Sequence, residues 1–312
     1  MSVDFAATVK RLEENLERVI RGKSESVRML LISMLAGGHT LLEDVPGTGK
    51  TTLAKCLARS IAGEFRRIQF TPDLLPGDIT GSLFYNPKDG AFEFRPGPVF
   101  ANILLADEIN RTSPRTQSAL LEVMSERQVT TEGHRRVLPQ PFFVIATQNP
   151  AEFHGTYPLP EAQLDRFTAC VGLGYPDFAS EVEILFSQND GHPFDSLEPV
   201  ATCEEVQQVM DRVKKVRFER AVAEYIVRVV GAVRADPRLR LGLSPRGSLA
   251  LYRTSQARAL MAGRDFVLPD DVRALAVPVL AHRLLLDSKA KYSGVTPARV
   301  VEEAVEKTSV PR

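Results

Sequence analysis

Thr40-Leu41-Leu42-Glu43-Asp44-Val45-Pro46-Gly47-Thr48-Gly49-Lys50-Thr51-Thr52 reads as a buried strand, a glycine-bearing turn and the first turn of a helix. The backbone N–H groups of such a turn, with the N-terminus of the helix behind it, form a cradle for a polyphosphate. Its candidate binding residues are Val45, Pro46, Gly47, Thr48, Gly49, Lys50, Thr51 and Thr52. Lys50 is placed to reach the outer phosphates and the Thr51 hydroxyl to ligate Mg²⁺. The Gly-Lys-Thr tripeptide alone is a weak signal, and Gly22-Lys23-Ser24 is a second copy of the pattern. No strand precedes that copy and the residues before it read as helix, so it is set aside as a phosphate loop. The copy at Gly49 has an apolar run before it and an amphipathic helix after it, with Leu53, Leu57 and Ile61 spaced along one face and Gly63 as its stop. One position departs from the full pattern: Asp44 stands where a glycine is expected. By itself the stretch stays open between a nucleotide loop and an ordinary strand–turn–helix corner.

Outward from it, residues 4–20 and 24–36 have the spacing of helices, the second closed by Gly37-Gly38. Residues 64–70 read as a second strand, and 71–100 as a long excursion with a hairpin over 82–94 turning at Lys88-Asp89-Gly90. Such an excursion is more often a working loop than a linker. Ile103-Leu104-Leu105-Ala106 has the continuous apolar character of a strand buried on both faces, and it ends in Asp107-Glu108. Two carboxylates there are costly unless a cation meets them. Downstream of a phosphate loop the pair reads as an Mg²⁺ ligand, Asp107, and a group that orients attacking water, Glu108. Elsewhere it would be an exposed helix cap. Ser113-Pro114 opens a helix to about Arg127, a hairpin follows over 129–137, and the third buried run, Phe142 to Ala146, ends in Thr147-Gln148-Asn149. The Asn149 amide is placed to meet a γ-phosphate or the water, or else serves the turn. Residues 169–173 are the last strand expected. From Pro176 onward only helices are predicted, over 178–188, 203–214, 219–234, 245–262, 269–286 and 296–307. Ser244-Pro245-Arg246 sets a guanidinium in the first turn of a helix, the unfavourable end for a cation. A nearby anion would resolve this; a solvated arginine is the alternative.

The chain has 312 residues, 44% hydrophobic and 25% charged, with 39 basic and 39 acidic side chains. That composition suits a soluble globular protein of one large and one small domain, and the zero net charge by itself points to no polyanion-binding surface, local patches staying open. Cys56, Cys170 and Cys203 have no metal or redox spacing and are expected to be reduced, buried thiols of a cytoplasmic protein. His39, His134, His154, His192 and His282 likewise have no metal spacing and read as loop or packing residues. The N-terminus has no long apolar run, so neither a signal peptide nor a membrane anchor is expected.

Several ordered blocks resemble the MoxR family of AAA+ ATPases. They are Gly38-His39-Thr40-Leu41-Leu42-Glu43, Phe70 to Pro76, Leu105 to Arg111, Ala146 to Pro150 and Gly155 to Phe167. Asp44 is a variant at home in that family. The resemblance implies an α/β fold: an AAA+ P-loop NTPase domain, with a parallel five-stranded sheet and flanking helices, over 1–176, and an all-α lid over 177–312. It implies ATP and Mg²⁺ as cofactors. Lys50 and Thr51 match Walker A, Asp107 and Glu108 match Walker B, and Asn149 matches sensor 1. Arg166 matches the arginine finger that enters a neighbouring subunit's site, and Arg246 matches sensor 2, whose phosphate contact would link hydrolysis to the lid angle. Val19, Ile20 and Gly22 resemble the segment lining the adenine pocket. Residues 73–98 and 127–140 resemble the helix-2 insert and the hairpin before sensor 1, which face the pore in related rings.

The implied function is a ring-forming, hexameric ATPase that remodels a client protein for maturation or metal-centre insertion, with a von Willebrand factor A (VWA) domain partner. A chelatase ATPase subunit shares these motifs and stays open as an alternative. A nucleic-acid remodeller is disfavoured by the zero net charge and the lack of a basic run. A nucleotide-gated scaffold is disfavoured by the intact Lys50, Asp107, Glu108 and Arg166.

Overall fold

The computed structural model describes residues 4–88, 90–149, 156–187 and 191–311. Asp89 at the hairpin turn, Pro150, His154, Gly155 and Gln188 lie outside the described residues.

Helices α1 (Phe5–Glu17) and α2 (Ser24–Leu35) precede strand β1 (Thr40–Glu43), and α3 (Lys50–Ser60) leads to β2 (Phe65–Gln69). The excursion contains a short α4 (Pro76–Thr80) and the antiparallel pair β3 (Gly81–Asn86) and β4 (Ala91–Pro96). Then come β5 (Ile103–Asp107), a 3-10 turn at Ile109–Arg111, and α5 (Pro114–Glu126), capped by the Ser113 side chain. A second hairpin, β6 (Gln128–Thr131) and β7 (His134–Val137), precedes β8 (Phe143–Gln148), α6 (Glu161–Leu164) and β9 (Ala169–Val171). The C-terminal part holds α7 (Phe178–Phe186), α8 (Cys203–Val213), α9 (Arg220–Arg234), β10 (Leu239–Leu241), α10 (Pro245–Met261) and α11 (Pro269–Leu280). It ends with β11 (Leu285–Leu286), α12 (Ser288–Tyr292) and α13 (Pro297–Lys307).

The main sheet has the order β2-β5-β8-β1-β9, and every pairing in it is parallel. Alternation along β5 and β8 divides the core. Ile103, Leu105, Phe143 and Ile145 face α1, α2 and α3, whereas Leu104, Ala106, Val144 and Ala146 face α5. Each fully buried leucine or isoleucine contributes about 1.5–3 kcal/mol. The first of these cores runs on without a break into Val206, Val229, Leu251, Val272 and Val300 of the C-terminal helices. Thus α10 packs on α1 and α2, and α11 packs on β9, at the β9 edge of the sheet.

Two expectations are corrected. Strands do not vanish after Pro176, because β10 and β11 pair antiparallel. The helix expected over 269–286 ends at Leu280, two residues past Pro278, which lacks an N–H and crowds the preceding turn. The chain then turns so that Arg283 reaches Asp165 and Leu285–Leu286 joins β10. The thiols are also not uniformly buried. Cys56 is, and burial pushes it up to about 12, but Cys170 and Cys203 are half-buried. Among the described residues no helix is long and apolar enough to cross a membrane.

His39, just before β1, ties this part of the sheet to the neighbouring strand β8 and to α5. Its Nδ1 accepts from Val144 N at 3.0 Å, and its Nε2 lies 3.1 Å from the Met124 carbonyl, to which it donates. Burial, with the nearby Arg127 charge, lowers its pKa from 6.5 to about 4. In the pH window between these values the unfolded chain binds a proton that the folded chain does not. This stabilisation is therefore complete above pH 6.5 and is lost as pH falls towards 4. The loss is on the order of 3 kcal/mol. In urea unfolding at pH 7 and pH 4.5, His39→Gln should lose clearly less stability between the two than the parent. Equal losses would rule out this role.

Candidate nucleotide cleft

The turn after β1 places glycines where only glycine is comfortable: Gly47 and Gly49 have φ of 84° and 90°. Gly49 then caps α3, so the free N–H groups of its first turn open towards the carboxyl ends of the parallel strands. Pro46, Gly47, Gly49, Lys50, Thr51 and Thr52 line a cleft of about 430 Å³ there. Val45 and Thr48 belong to the loop without lining the cleft; the Thr48 hydroxyl donates to the Val45 carbonyl at 3.3 Å. The Lys50 ammonium donates to the carbonyls of Asp44 (3.0 Å) and Val45 (2.7 Å).

Asp107, Glu108, Thr147 and Asn149, at the ends of β5 and β8, form the opposite wall. The Thr147 hydroxyl bridges the carboxylate pair, donating to Asp107 Oδ1 at 2.6 Å and accepting from Glu108 N at 2.9 Å. Arg67 from β2 holds Asp107 Oδ2 at 2.6 Å, and Gln69 Nε2 donates to Glu108 Oε2 at 2.6 Å. Arg111 Nε lies 3.3 Å from the same Glu108 oxygen. Glu108 sits at φ 57°, a left-handed conformation that costs a non-glycine residue roughly 1–3 kcal/mol.

Arg67, Gln69 and Thr147 were not legible as site residues. Period-2 spacing puts Arg67 and Gln69 on one face of β2, yet only the register Gln69↔Asp107 brings that face to the carboxylates. Thr51 and Asp107 share the cleft, and a hydroxyl plus a carboxylate, with phosphate and water oxygens to complete the shell, suits Mg²⁺.

Arg166 and Arg246 do not line this cleft. They line a second one, of about 340 Å³, together with Arg127, Asp165 and Arg283. Arg283 Nη1 pairs with Asp165 Oδ1 at 2.5 Å, and Ser244, the cap of α10, donates to Asp165 Oδ2 at 2.8 Å while accepting from Arg246 N at 3.0 Å. Burial lowers the Arg283 pKa, Asp165 opposes this, and Arg246 adds to it. Arg166 is half-buried and donates to Leu121 O at 2.8 Å. The cause of this separation is the shared core, which holds α10 against α1 and α2. Arg246 thus stands apart from the phosphate loop of its own chain. Val19 and Ile20 pack on the main core, and Gly22 (φ 69°) abuts α7, where an added Cβ would lie 2.3 Å from Ser180 Oγ. None of these three lines the first cleft.

Comparison with known proteins adds a lineage to this geometry. Residues 39–169 match the ATPase family associated with various cellular activities (AAA), and residues 231–304 match the AAA lid domain. The chain is 51% identical to the uncharacterized protein YeaC of Bacillus subtilis (strain 168) over 99% of this chain and 96% of that protein. It is 39% identical to Chaperone MoxR1 of Mycobacterium tuberculosis over 99% of this chain and 84% of that one. It is 31% identical to Protein MoxR of Methylorubrum extorquens over 92% and 90%. A crystal structure described as a candidate ATPase from Cytophaga hutchinsonii superposes with a TM-score of 0.92 at 37% identity, covering 99% of this chain and 96% of that one.

Proposed function

We propose, from the premise that this chain belongs to the MoxR family of AAA+ ATPases, that it uses ATP hydrolysis to remodel a client protein. The reaction is ATP plus water to ADP and phosphate. Lys50 and the α3 N-terminus hold the β- and γ-phosphates, Glu108 orients the attacking water, and Asn149 meets the γ-phosphate or that water. Mg²⁺, when held by Thr51 and Asp107, neutralises charge on the phosphate oxygens. Val19, Ile20 and Gly22 are assigned to the adenine side on kinship; of these, Gly22 abuts the first lid helix, α7. The α/β domain spans 1–176 and the lid 177–312.

One observation carries the assembly. The two arginines suited to a transition-state phosphate sit in a cleft apart from the phosphate loop, with Arg127 and Arg283 beside them and Asp165 as the carboxylate among them. Four guanidinium groups around one carboxylate favour an anion brought from outside. The neighbouring protomer's triphosphate supplies it, so that Arg166 and Arg246 both complete the next subunit's site in a hexameric ring. The exposed Phe84, Tyr85 and Phe92 of the β3–β4 hairpin suit a polypeptide client. The finer assignments rest on kinship alone: a cytoplasmic setting, a VWA-domain partner, and clients that need maturation or metal insertion.

Sedimentation velocity tests the assembly. With Mg²⁺ and a non-hydrolysable ATP analogue the protein should sediment as a ring, whereas Lys50→Ala should stay in its nucleotide-free form. Full turnover by a species that remains monomeric would overturn the proposal.

A further inference from the structure

The one residue that departs from the phosphate-loop pattern has a defined place in the fold. Asp44 is 8% exposed although it borders the nucleotide cleft. Its carboxylate faces away from the helix N-terminus and takes three backbone N–H groups. Oδ1 accepts from Val45 N at 2.8 Å, while Oδ2 accepts from Leu173 N at 2.8 Å and Gly174 N at 2.7 Å. A carboxylate engaged in this way has its lone pairs taken up by amides. It also needs a particular partner, because Leu173 and Gly174 begin the crossing from β9 into the lid, and Gly174 has φ 62°. The same crossing is held from its other side by α2, where Ser26 Oγ donates to Gly172 O at 2.8 Å and Lys23 Nζ donates to Tyr175 O.

The Asp44 main chain is equally committed. Its N–H extends the sheet ladder to Gln148 O at 3.2 Å, and its carbonyl accepts from the Lys50 ammonium at 3.0 Å. A bound triphosphate competes for that ammonium. Occupancy of the loop therefore changes what the Asp44 carbonyl is bonded to, on the same residue whose side chain grips the lid crossing.

We propose that Asp44 is a positioning residue that links nucleotide occupancy of the phosphate loop to the position of the lid, through the Leu173 and Gly174 amides. The glycine of the ordinary pattern has no side chain for this task. The inference rests on the nucleotide assignment given above for the same cleft. By linkage, a group that couples two sites can be removed with little change at either site alone, while the step that needs both is impaired.

Residue-resolved hydrogen exchange and steady-state kinetics on the full chain separate the possibilities. In the parent, Mg²⁺ with AMP-PNP should change exchange at Leu173 and Gly174 by at least about threefold. In Asp44→Ala both amides should exchange about tenfold faster and no longer respond to nucleotide. Its kcat should fall about tenfold while KM stays within about twofold of the parent. Asp44→Asn, which can turn its one oxygen to the same amides, should recover part of kcat. Leu173 and Gly174 amides indifferent to nucleotide in a parent that hydrolyses ATP would overturn the latch alone, whether or not the variants fold. A raised KM at unchanged kcat would also overturn it. A parent that neither binds nor hydrolyses ATP would remove the nucleotide assignment, and the latch with it.

Discussion

Replacing Glu108 by glutamine should lower ATP turnover by roughly 10²–10⁴-fold, the range for loss of a positioned general base. Nucleotide affinity should stay within about threefold of the parent, because the lost charge acts on the water rather than on the bound phosphates. The substitution is clean for structural reasons. Glutamine has the same length and faces the same left-handed backbone requirement at φ 57°. It can still offer an oxygen to Gln69 Nε2, and its N–H still meets the Thr147 hydroxyl. What it cannot do is accept a proton from water. Phosphate release measured beside equilibrium binding of a fluorescent ATP analogue separates the two effects. Turnover within a few-fold of the parent would remove Glu108 from its role and leave the Asp107–Glu108 pair as a structural strand end. If the expectation holds, the same variant should retain ATP and its client together, which makes it the reagent of choice for identifying that client.

Much of this site was legible because its signals are local. The strand, the two glycines and the first turn of the helix of the phosphate loop lie within thirteen consecutive residues, and the apolar run Ile103 to Ala106 announces a central strand ending in carboxylates. What escaped depends on tertiary placement. Arg67 and Gln69 matter only through the register of β2 on β5. The β10–β11 pair has strands of three and two residues, too short for alternation to register, and Leu284 to Leu286 prolongs an apolar pattern that reads as helix. Helix α4 is a single turn built on Pro76-Gly77, residues that by composition read as a loop. Where Arg246 stands relative to the phosphate loop was the least legible of these features. Its place in the first turn of a helix was visible, and an anion for it was expected, but that it lines a cleft apart from the phosphate loop depends on the packing of α10 on α1 and α2. Asp44 was visible as a departure, but its partners lie about 130 residues downstream, in the crossing to the lid.

Arg166→Ala should lose roughly 10³–10⁵-fold in turnover, the effect of removing an arginine finger, with ATP binding preserved. The argument is positional. Arg166 follows Asp165, which is fixed by Arg283 and Ser244, so the finger segment is clamped to the base of α10. Its own guanidinium leans on Leu121 O and Ser125 Oγ of α5, its Nε is buried without a partner among the described residues, and it borders the second cleft rather than the one with Lys50 and Glu108. A residue held in that way lines a different cleft from its own chain's phosphate loop, and the proposed assembly brings it to the phosphates of a copy docked against this face. The consequence separates the two cases. Lys50→Ala has a ruined phosphate loop and an intact finger; Arg166→Ala has the reverse. Each is inactive alone. Co-expressed, they should recover measurable ATPase activity, because some interfaces in the mixed ring join an intact loop to an intact finger. A finger acting within its own chain predicts no recovery at any mixing ratio, since neither polypeptide then contains a whole site. Absence of recovery in mixed rings whose composition is verified by mass would assign Arg166 to its own chain's site, whereas an Arg166→Ala variant with turnover near the parent's would place it outside catalysis and return the second cleft to a purely structural account.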